Sequence, residues 1–225
     1  MKLQLILLFL SASLIGCATT KTDVRNEAEA AKYDPATTAR IRLITGEGTA
    51  GGYVIGQSCE TFYNKSARTL PRNQSGWIDA HVHTPGLYPW RESDTRNLVI
   101  GIPPTKASKS INDTKLQFDE YAVPAGKPLI VYLGSWSSAV SCTPKPIVFT
   151  PEPGRDYEFQ LEMVKLGTFR GGCMIGARKL TALGAATVEL PLMPDLCLRG
   201  AGDIYRTVTL QEQLEQIHQA TQKNP

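Results

Sequence analysis

The stretch of residues 121–164 constrains the fold more than any other part of the chain. It contains two short, continuous apolar runs, residues 129–133 and 146–149, of the kind found in strands that are buried on both faces. Residues 157–163 instead alternate apolar and polar side chains, which predicts a half-buried strand with Glu158 on its wet face. Turn-forming proline and glycine residues separate the three runs. The sequence therefore predicts the middle of a β domain, and nothing in this stretch is typical of a catalytic motif.

The first 17 residues predict an export signal. Lys2 supplies a positive start, residues 3–10 are mostly apolar, and small residues follow. The apolar run is shorter than the roughly 20 residues that a transmembrane helix needs. Residues 14–17, Leu-Ile-Gly-Cys, resemble the bacterial lipobox, in which the cysteine is lipidated and becomes the first residue. We therefore expect Cys17 to be lipidated. Ala18 after it, by resemblance to other lipoproteins of two-membrane bacteria, favours the periplasmic face of the outer membrane.

Length and charge restrict the class of protein. Removing 16 of the 225 residues leaves 209, enough for one domain with a sizeable core. The formal net charge of +3 falls to +2 without Lys2, and the other cations are scattered, so the sequence does not indicate nucleic-acid binding. We expect no cofactor, and as partners the membrane, through the lipid, and a protein or glycan of the envelope. The predicted parts are the signal peptide 1–16, a lipidated cysteine and flexible tether 17–36, a β-sandwich-like domain 37–208, and a C-terminal amphipathic helix with a tail 209–225.

Four further cysteines give an even count, which predicts two disulfides in an oxidising periplasm. The alternative is four buried free thiols. Three pairings are open, and we favour Cys59–Cys142 with Cys173–Cys197. The second pair is the closest in sequence, and the first would close a long, polar insertion against the central strands. No C-x-x-C motif occurs, so neither a redox motif nor a zinc ribbon is indicated.

Local patterns predict the remaining elements. Residues 39–44 and 51–56 read as two strands joined at Gly46 and Gly48, which predicts a hairpin. Residues 60–97 are the least regular part, and we expect one short strand there, at residues 76–82. Further strands are expected at residues 98–102, 173–180 and 187–192.

At the C-terminus the spacing of the apolar residues changes from that of a strand to that of a helix. Leu210, Leu214 and Ile217 follow at i, i+4 and i+7, which predicts an amphipathic helix of about twelve residues. Thr209 and Glu212 fit a capping box at its start. We expect the apolar stripe to pack on the sheet, and the alternative is a helix that binds a partner.

Three segments resemble a group of small bacterial envelope lipoproteins: NLVIGIPPT, FDEYAVPAGKPLIV and VFTPEPGRDYEFQLE. The shared pattern is an alternating first strand, a V-x-A-G-K-P hairpin start and an F-x-P-x-x-G-x-x-Y strand start, here residues 39–43, 123–128 and 149–157. The resemblance covers roughly half of the mature chain and rests on structural residues. It implies a β-sandwich or a related Greek-key domain with a long loop insertion, and it supplies no catalytic residue.

Residues 78–83, Ile-Asp-Ala-His-Val-His, are the most suggestive chemical motif. On a strand, His81 and His83 would share a face, as a metal site needs, and the motif resembles the H-x-H of amidohydrolases. The barrel of that family needs about 250 residues and a repeating βα pattern, which this chain lacks. We therefore interpret them as strand histidines with one face to solvent. One alternative is an adventitious or minor zinc or copper site, and the competing function is a metal-dependent hydrolase that uses His81 and His83. Oxygen ligands of such a site would be Asp79, Glu92 or Asp94.

Residues 60–114 are where we place the binding surface, because loops on a rigid scaffold carry function. Trp77, Tyr88 and Trp90 in this segment predict an aromatic patch for sugars or peptides, and the alternative is packing of the loop onto the sheet. The serines of residues 134–138 lack the G-x-S-x-G pattern of a nucleophile elbow. Our interpretation is a lipid-anchored, non-enzymatic envelope protein that acts as a binding or structural module.

Overall fold

A computed structural model describes residues 22–46, 48–83, 94–110, 116–136, 141–165 and 171–223. The lipobox with Cys17 lies outside these residues, as do Tyr88, Trp90 and Glu92. The strands are β1 Thr22–Arg25, β2 Thr38–Ile44, β3 Thr49–Ile55, β4 Trp77–Asp79, β5 Arg96–Val99, β6 Phe118–Pro124, β7 Leu129–Trp136, β8 Ser141–Cys142, β9 Ile147–Phe149, β10 Asp156–Lys165, β11 Gly171–Leu183, β12 Ala186–Leu192, β13 Asp195–Arg199 and β14 Tyr205–Val208. Helical segments are Glu27–Ala30, Cys59–Thr61, Phe62–Ser66, Ala67–Thr69, Arg72–Gln74, Ala201–Asp203 and Leu210–Lys223.

The described strands form a β-sandwich, which confirms the predicted fold class. The first sheet has the order β1-β5-β6-β2-β10-β11-β12, and the second has the order β14-β13-β9-β7-β3-β4 with β8 paired to β7. Both central apolar runs became strands of the second sheet, β7 and β9, and the alternating run became β10 of the first. Between the sheets, alternate residues of facing strands make one continuous apolar core. It includes Ile41, Leu43, Tyr53, Leu129, Val131, Leu133, Ile147, Tyr157 and Phe159.

The predicted hairpin of residues 39–56 is wrong. β2 pairs with β6 and β10 of the first sheet, whereas β3 pairs with β7 and β4 of the second. Gly46 and Gly48 therefore lie where the chain crosses from one layer to the other. Both strands are largely buried, so their backbone N–H and C=O groups need hydrogen-bonding partners along both edges. The crossover places each strand inside its own sheet, between two neighbouring strands.

We expected the polar face of β10 to contact solvent, but this face is buried at Glu158. Glu158 is fully buried, and so are its neighbours across the first sheet, Arg42 on β2 and Glu120 on β6. These three side chains, with Arg178 on β11, form a row of alternating charge on the outer face of the sheet, because the strand registers place them side by side. We call this set the charge row. Its formal charges cancel, which a buried cluster requires.

Arg42 satisfies all five of its guanidinium donors in the charge row. Its Nε and Nη2 donate to Glu120 Oε1 at 3.1 and 2.7 Å, and its Nη1 donates to Glu158 Oε2 at 3.0 Å. The remaining two bonds go to the backbone carbonyls of Ile102 and Pro103, at 2.9 and 3.2 Å. The backbone of residues 102–103 covers this face of the sheet and is held there by hydrogen bonds from the buried Arg42 side chain.

Consecutive acidic residues on β6 attach the neighbouring segment. Glu120 Oε2 accepts the backbone N–H groups of Ile100, Gly101 and Ile102 at 2.7, 2.9 and 3.1 Å. On the other side of β6, Asp119 Oδ1 accepts the N–H of Leu98 at 2.6 Å. Backbone pairing of β5 with β6 is limited to one residue pair, so carboxylates replace much of the ladder.

Part of the predicted flexible tether is structured. β1 pairs in parallel with β5 at the edge of the first sheet, and Asn97 Nδ2 donates to Asp23 Oδ1 at 2.8 Å. A helical turn follows at Glu27–Ala30, where the Asn26 side chain accepts from the N–H of Glu29. The polar composition that suggested a tether is instead the composition of an exposed edge strand, because all four β1 residues are exposed.

The segment after β3 is helical rather than irregular. Ser58 caps it by accepting the N–H of Thr61, and the helical turns then run on to Thr69. Asn64 clamps it to β14: its Nδ2 donates to the carbonyl of Tyr205 and its Oδ1 accepts the N–H of Tyr205, both at 2.7 Å. Glu60 accepts from the backbone and hydroxyl of Thr207. The segment therefore packs on the outer face of the second sheet.

The cysteines form two disulfides, but the favoured pairing is wrong. The bonds join Cys59 to Cys197 and Cys142 to Cys173. The first attaches the helical segment to β13, and the second joins β8 of the second sheet to β11 of the first. Closeness in sequence misled us because the fold brings together cysteines that are far apart in the chain: Cys197 lies against the helical segment at Cys59, and β8 lies against β11.

The C-terminal helix is confirmed, with its capping box. Thr209 Oγ1 accepts the N–H of Glu212 at 3.2 Å, and Glu212 Oε2 accepts the N–H of Thr209 at 2.8 Å. The expected packing of its stripe fails at Leu214, which is 57% exposed. Among the described residues, no helix combines the length and the apolar character that crossing a membrane would require.

Arg42→Ala should lower the free energy of unfolding by about 3–5 kcal/mol, because it leaves two buried carboxylates without their partner. The control is Arg25→Ala, which removes an ion pair to Glu27 whose side chains are 59% and 76% exposed. That variant should lose at most about 1 kcal/mol. Urea unfolding of both variants measures the difference, and equal losses would contradict the role of the charge row.

Mass spectrometry of non-reduced proteolytic peptides should find Cys59 linked to Cys197 and Cys142 linked to Cys173. Reduction before digestion should abolish both linked species, which provides the control. A peptide that links Cys59 to Cys142 would refute the strand arrangement, since the helical segment would then be attached to β8 rather than to β13.

Candidate functional site

A cavity of about 830 Å³ opens on the outer face of the second sheet. Its size falls in the range of small-molecule sites. The wall on one side is the helical segment of residues 59–69, and the floor is formed by β3, β4 and β7. We call it the aromatic groove, because six aromatic side chains line it: Phe62, Tyr63, Trp77, Tyr132, Trp136 and Tyr205.

Three of these rings form a row that crosses from β4 to β7 and then continues along β7. The ring centroids of Trp77 and Tyr132 are 6.3 Å apart, and those of Tyr132 and Trp136 are 6.1 Å apart. Phe62 stacks on Trp77 at 6.0 Å, and Tyr63 stacks on Tyr205 at 4.3 Å. Such separations are those of favourable aromatic pairs. The rings therefore support one another and form a continuous apolar surface.

Two glycines let the rings lie against the sheet. A Cβ at Gly52 would lie 2.8 Å from the Trp77 ring and 2.2 Å from the carbonyl oxygen of Ile78. A Cβ at Gly134 would lie 2.6 Å from the Trp136 ring and 2.9 Å from the Tyr132 hydroxyl. Any side chain at either position would displace a ring, because contacts this short do not occur. The rings can form the floor of the groove only because Gly52 and Gly134 have no side chains.

Polar groups frame the aromatic row at the Trp77 end. Trp77 Nε1 donates to Asp79 Oδ1 at 2.8 Å, and Arg72 both pairs with Asp79 and lies over the Trp77 ring at 4.9 Å. Burial would raise the pKa of Asp79, but the hydrogen bonds from Arg72 and Trp77 outweigh it and lower that pKa. Asp79 is therefore a carboxylate at neutral pH.

The other polar groups of the groove include phenols and cations. Burial raises the pKa of Tyr63 and of Tyr132, so both phenols keep their protons and can donate hydrogen bonds. Lys145 and Arg199 also line the groove. The site thus combines flat apolar surfaces with both donors and acceptors.

For Trp77 the structure shows both packing and access to the groove. It is half-buried, packs against Phe62, and still lines the groove. Trp136 is 52% exposed and offers the most open ring of the row. The sequence reasoning missed Trp136 and Tyr132, because a strand that is buried elsewhere gave no sign that alternate residues at its end carry exposed rings.

His81 and His83 lie beyond the end of β4 and form a second cluster. His81 Nδ1 is 3.0 Å from Asp119 Oδ2, and His83 Nε2 is 3.5 Å from the same oxygen. The two imidazole rings are 4.7 Å apart. We call these three residues the histidine cluster. His83 and Asp119 are buried, so the expectation that both histidines face solvent is wrong for His83.

The outward nitrogens of both histidines also have partners. His81 Nε2 is 3.1 Å from Asp94 Oδ2, and His83 Nδ1 is 3.0 Å from the carbonyl oxygen of Thr45. Of the oxygen ligands that the sequence suggested, Asp94 is therefore in contact with the cluster, whereas Asp79 lies in the aromatic groove. Asp119 was missed, although a charged pair inside an otherwise apolar strand was the signal for it.

Burial controls the charges in this cluster. It raises the pKa of Asp119, against the effect of His83 and of the Leu98 amide, and it lowers the pKa of His83, against the effect of Asp119. Asp94 lies nearer the surface, and its hydrogen bonds from Arg96 hold its pKa well below the ordinary value. Asp94 is therefore ionised at neutral pH.

Comparisons of the chain with protein-family models, with curated proteins and with solved structures find no match.

Proposed function

We propose that the protein is a lipid-anchored envelope protein that binds a glycan in the aromatic groove. The observation that carries this proposal is the row of Trp77, Tyr132 and Trp136, which lies on glycines in a cavity of about 830 Å³. A pyranose ring has an apolar C–H face that stacks on an aromatic ring, and a rim of hydroxyl groups that need donors and acceptors. The groove supplies both kinds of surface.

A glycan fits these features better than an apolar ligand does. The Trp77 end carries the Arg72–Asp79 pair, which offers donors and an acceptor for hydroxyl groups. An apolar ligand would leave these groups without partners, which costs binding energy. The rings are also held by stacking and by disulfide-anchored backbone, so little ordering is needed when a ligand binds.

The anchor follows from the lipobox at Cys17, and the two disulfides support an oxidising compartment such as the periplasm. Four residues, 18–21, separate Cys17 from the first residue of β1. Fully extended, they span at most about 14 Å. The edge of the first sheet would therefore sit close to the lipid surface, while the aromatic groove belongs to the outer face of the other sheet.

Trp136→Ala should weaken glycan binding by about 2 kcal/mol, as expected when an aromatic hot spot is removed, and leave the fold intact because the ring is 52% exposed. Calorimetric titration with soluble glycan-strand fragments of peptidoglycan measures the affinity. Leu183→Ala is the matched control, since Leu183 is 69% exposed and lies on β11 of the first sheet. Equal affinity of the two variants would contradict the proposal, and binding of the stem peptide alone would show that the ligand is a peptide.

Cys17→Ala should abolish lipidation. The protein should then remain unprocessed or appear as a soluble periplasmic form, and it should no longer incorporate labelled palmitate. Cell fractionation and metabolic labelling check this against the wild type. Wild-type membrane association together with palmitate labelling in the variant would rule out the lipobox interpretation.

A further inference from the structure

We infer that the histidine cluster is a binding site for one divalent zinc ion, with His81 Nδ1, His83 Nε2 and Asp119 Oδ2 as its protein ligands. These ligand atoms all lie within 4.8 Å of one another. Zinc binds such atoms at about 2.0–2.2 Å in a tetrahedral arrangement, so two ligand atoms on one ion are separated by about 3.4 Å. The two measured contacts to Asp119 Oδ2, 3.0 and 3.5 Å, bracket this separation.

The outer contacts of the histidines are those of metal ligands. A ligating histidine typically donates its other N–H to a carboxylate or a backbone carbonyl, which fixes the ring and its tautomer. Here His81 Nε2 faces the carboxylate of Asp94 at 3.1 Å, and His83 Nδ1 faces the carbonyl of Thr45 at 3.0 Å. Each contact places the proton on the outer nitrogen and leaves the inner nitrogen with its lone pair.

The inner nitrogens face only oxygen acceptors among the described residues. His83 Nε2 is 3.1 Å from the carbonyl oxygen of Arg96 and 3.5 Å from Asp119 Oδ2. His81 Nδ1 is 3.0 Å from the same carboxylate oxygen. A lone pair directed at an oxygen is repulsive, and a positive ion at the centre removes this repulsion. One zinc ion there would lie beside the buried carboxylate of Asp119, while Asp94 is paired with Arg96.

Two of the three proposed ligands are buried side chains. The side chains of His83 and Asp119 are 0% and 1% exposed, and that of His81 is 27% exposed, which gives the ion one side open to solvent. Two imidazoles, one carboxylate and an open side match zinc sites whose fourth position holds water. The ligands belong to β6 and to the chain after β4, so the ion would fasten the first sheet to the second at this edge.

Zinc titration of the wild-type protein against a competing fluorescent chelator tests this inference. We expect one zinc ion per chain and a rise in melting temperature when zinc is added, because an ion that binds only the folded state stabilises it. His81→Ala, and Asp119→Asn, which keeps an acceptor for the Leu98 amide, should each bind at least 100-fold more weakly. Asp94→Asn should weaken zinc binding roughly 10- to 100-fold, as the loss of an outer partner does.

The matched control is His218→Ala, which removes the only other histidine of the chain, on the C-terminal helix. It should bind zinc as tightly as the wild type. Circular dichroism confirms that each variant is folded before its affinity is interpreted. Absence of stoichiometric zinc binding in the wild type, or unchanged affinity in a folded His81→Ala variant, would overturn the inference. Neither result would bear on glycan binding, since these histidines do not line the aromatic groove.

Discussion

The buried guanidinium of Arg42 is the interaction on which the first sheet depends. An unpaired charge at this buried position would strongly destabilise the folded state. Arg42 is tolerated there because two carboxylates and two backbone carbonyls accept hydrogen bonds from all its donors. The arrangement is geometrically demanding, since it requires β2 to lie between β6 and β10 in one register. A shift of one residue would turn each charge into the apolar core. The charge row thus specifies strand order and register, whatever its net contribution to stability.

β6 links this network to the candidate metal site. Asp119 and Glu120 are consecutive, so their side chains point to opposite faces of the strand. Glu120 joins the charge row and holds residues 100–102, while Asp119 contacts His81 and His83 and accepts the N–H of Leu98. The same strand therefore fixes the covering segment on one side and the ligand set on the other. The position of Asp119 follows from the register that Arg42 enforces.

The fold class and most strands could be predicted from the sequence, because alternation and apolar runs are local signals. What failed were features that depend on which strands become neighbours. Glu158 looked solvent-facing because alternation cannot show that residues 100–105 fold over that face. The hairpin around Gly46 assumed that successive strands stay in one sheet, and the pairing of Cys173 with Cys197 assumed that closeness in sequence means closeness in space.

The candidate sites show the same limit. Trp77 and the two histidines were visible as unusual residues, yet their partners come from distant strands. Tyr132 reaches Trp77 only because β7 and β4 both pair with β3, and Trp136 joins the row through Tyr132. Asp119 reaches His81 only because the chain crosses between the layers after β4. The signal for the groove floor was in the sequence, as Gly52 and Gly134 within strands, but its meaning required knowing which rings lie above them.

The two outer faces of the sandwich have opposite chemistry. The first sheet carries charges on its outer face and covers them with its own chain, so that face has no open binding surface around Arg42. The second sheet carries aromatic rings and leaves Trp136 half exposed. An apolar patch made of several adjacent rings is typical of an interaction site, whereas a single exposed ring needs no explanation. The disulfide between Cys59 and Cys197 holds the wall beside these rings, so the groove exists before any ligand arrives. A preformed aromatic groove of this kind requires little reordering when a ligand binds.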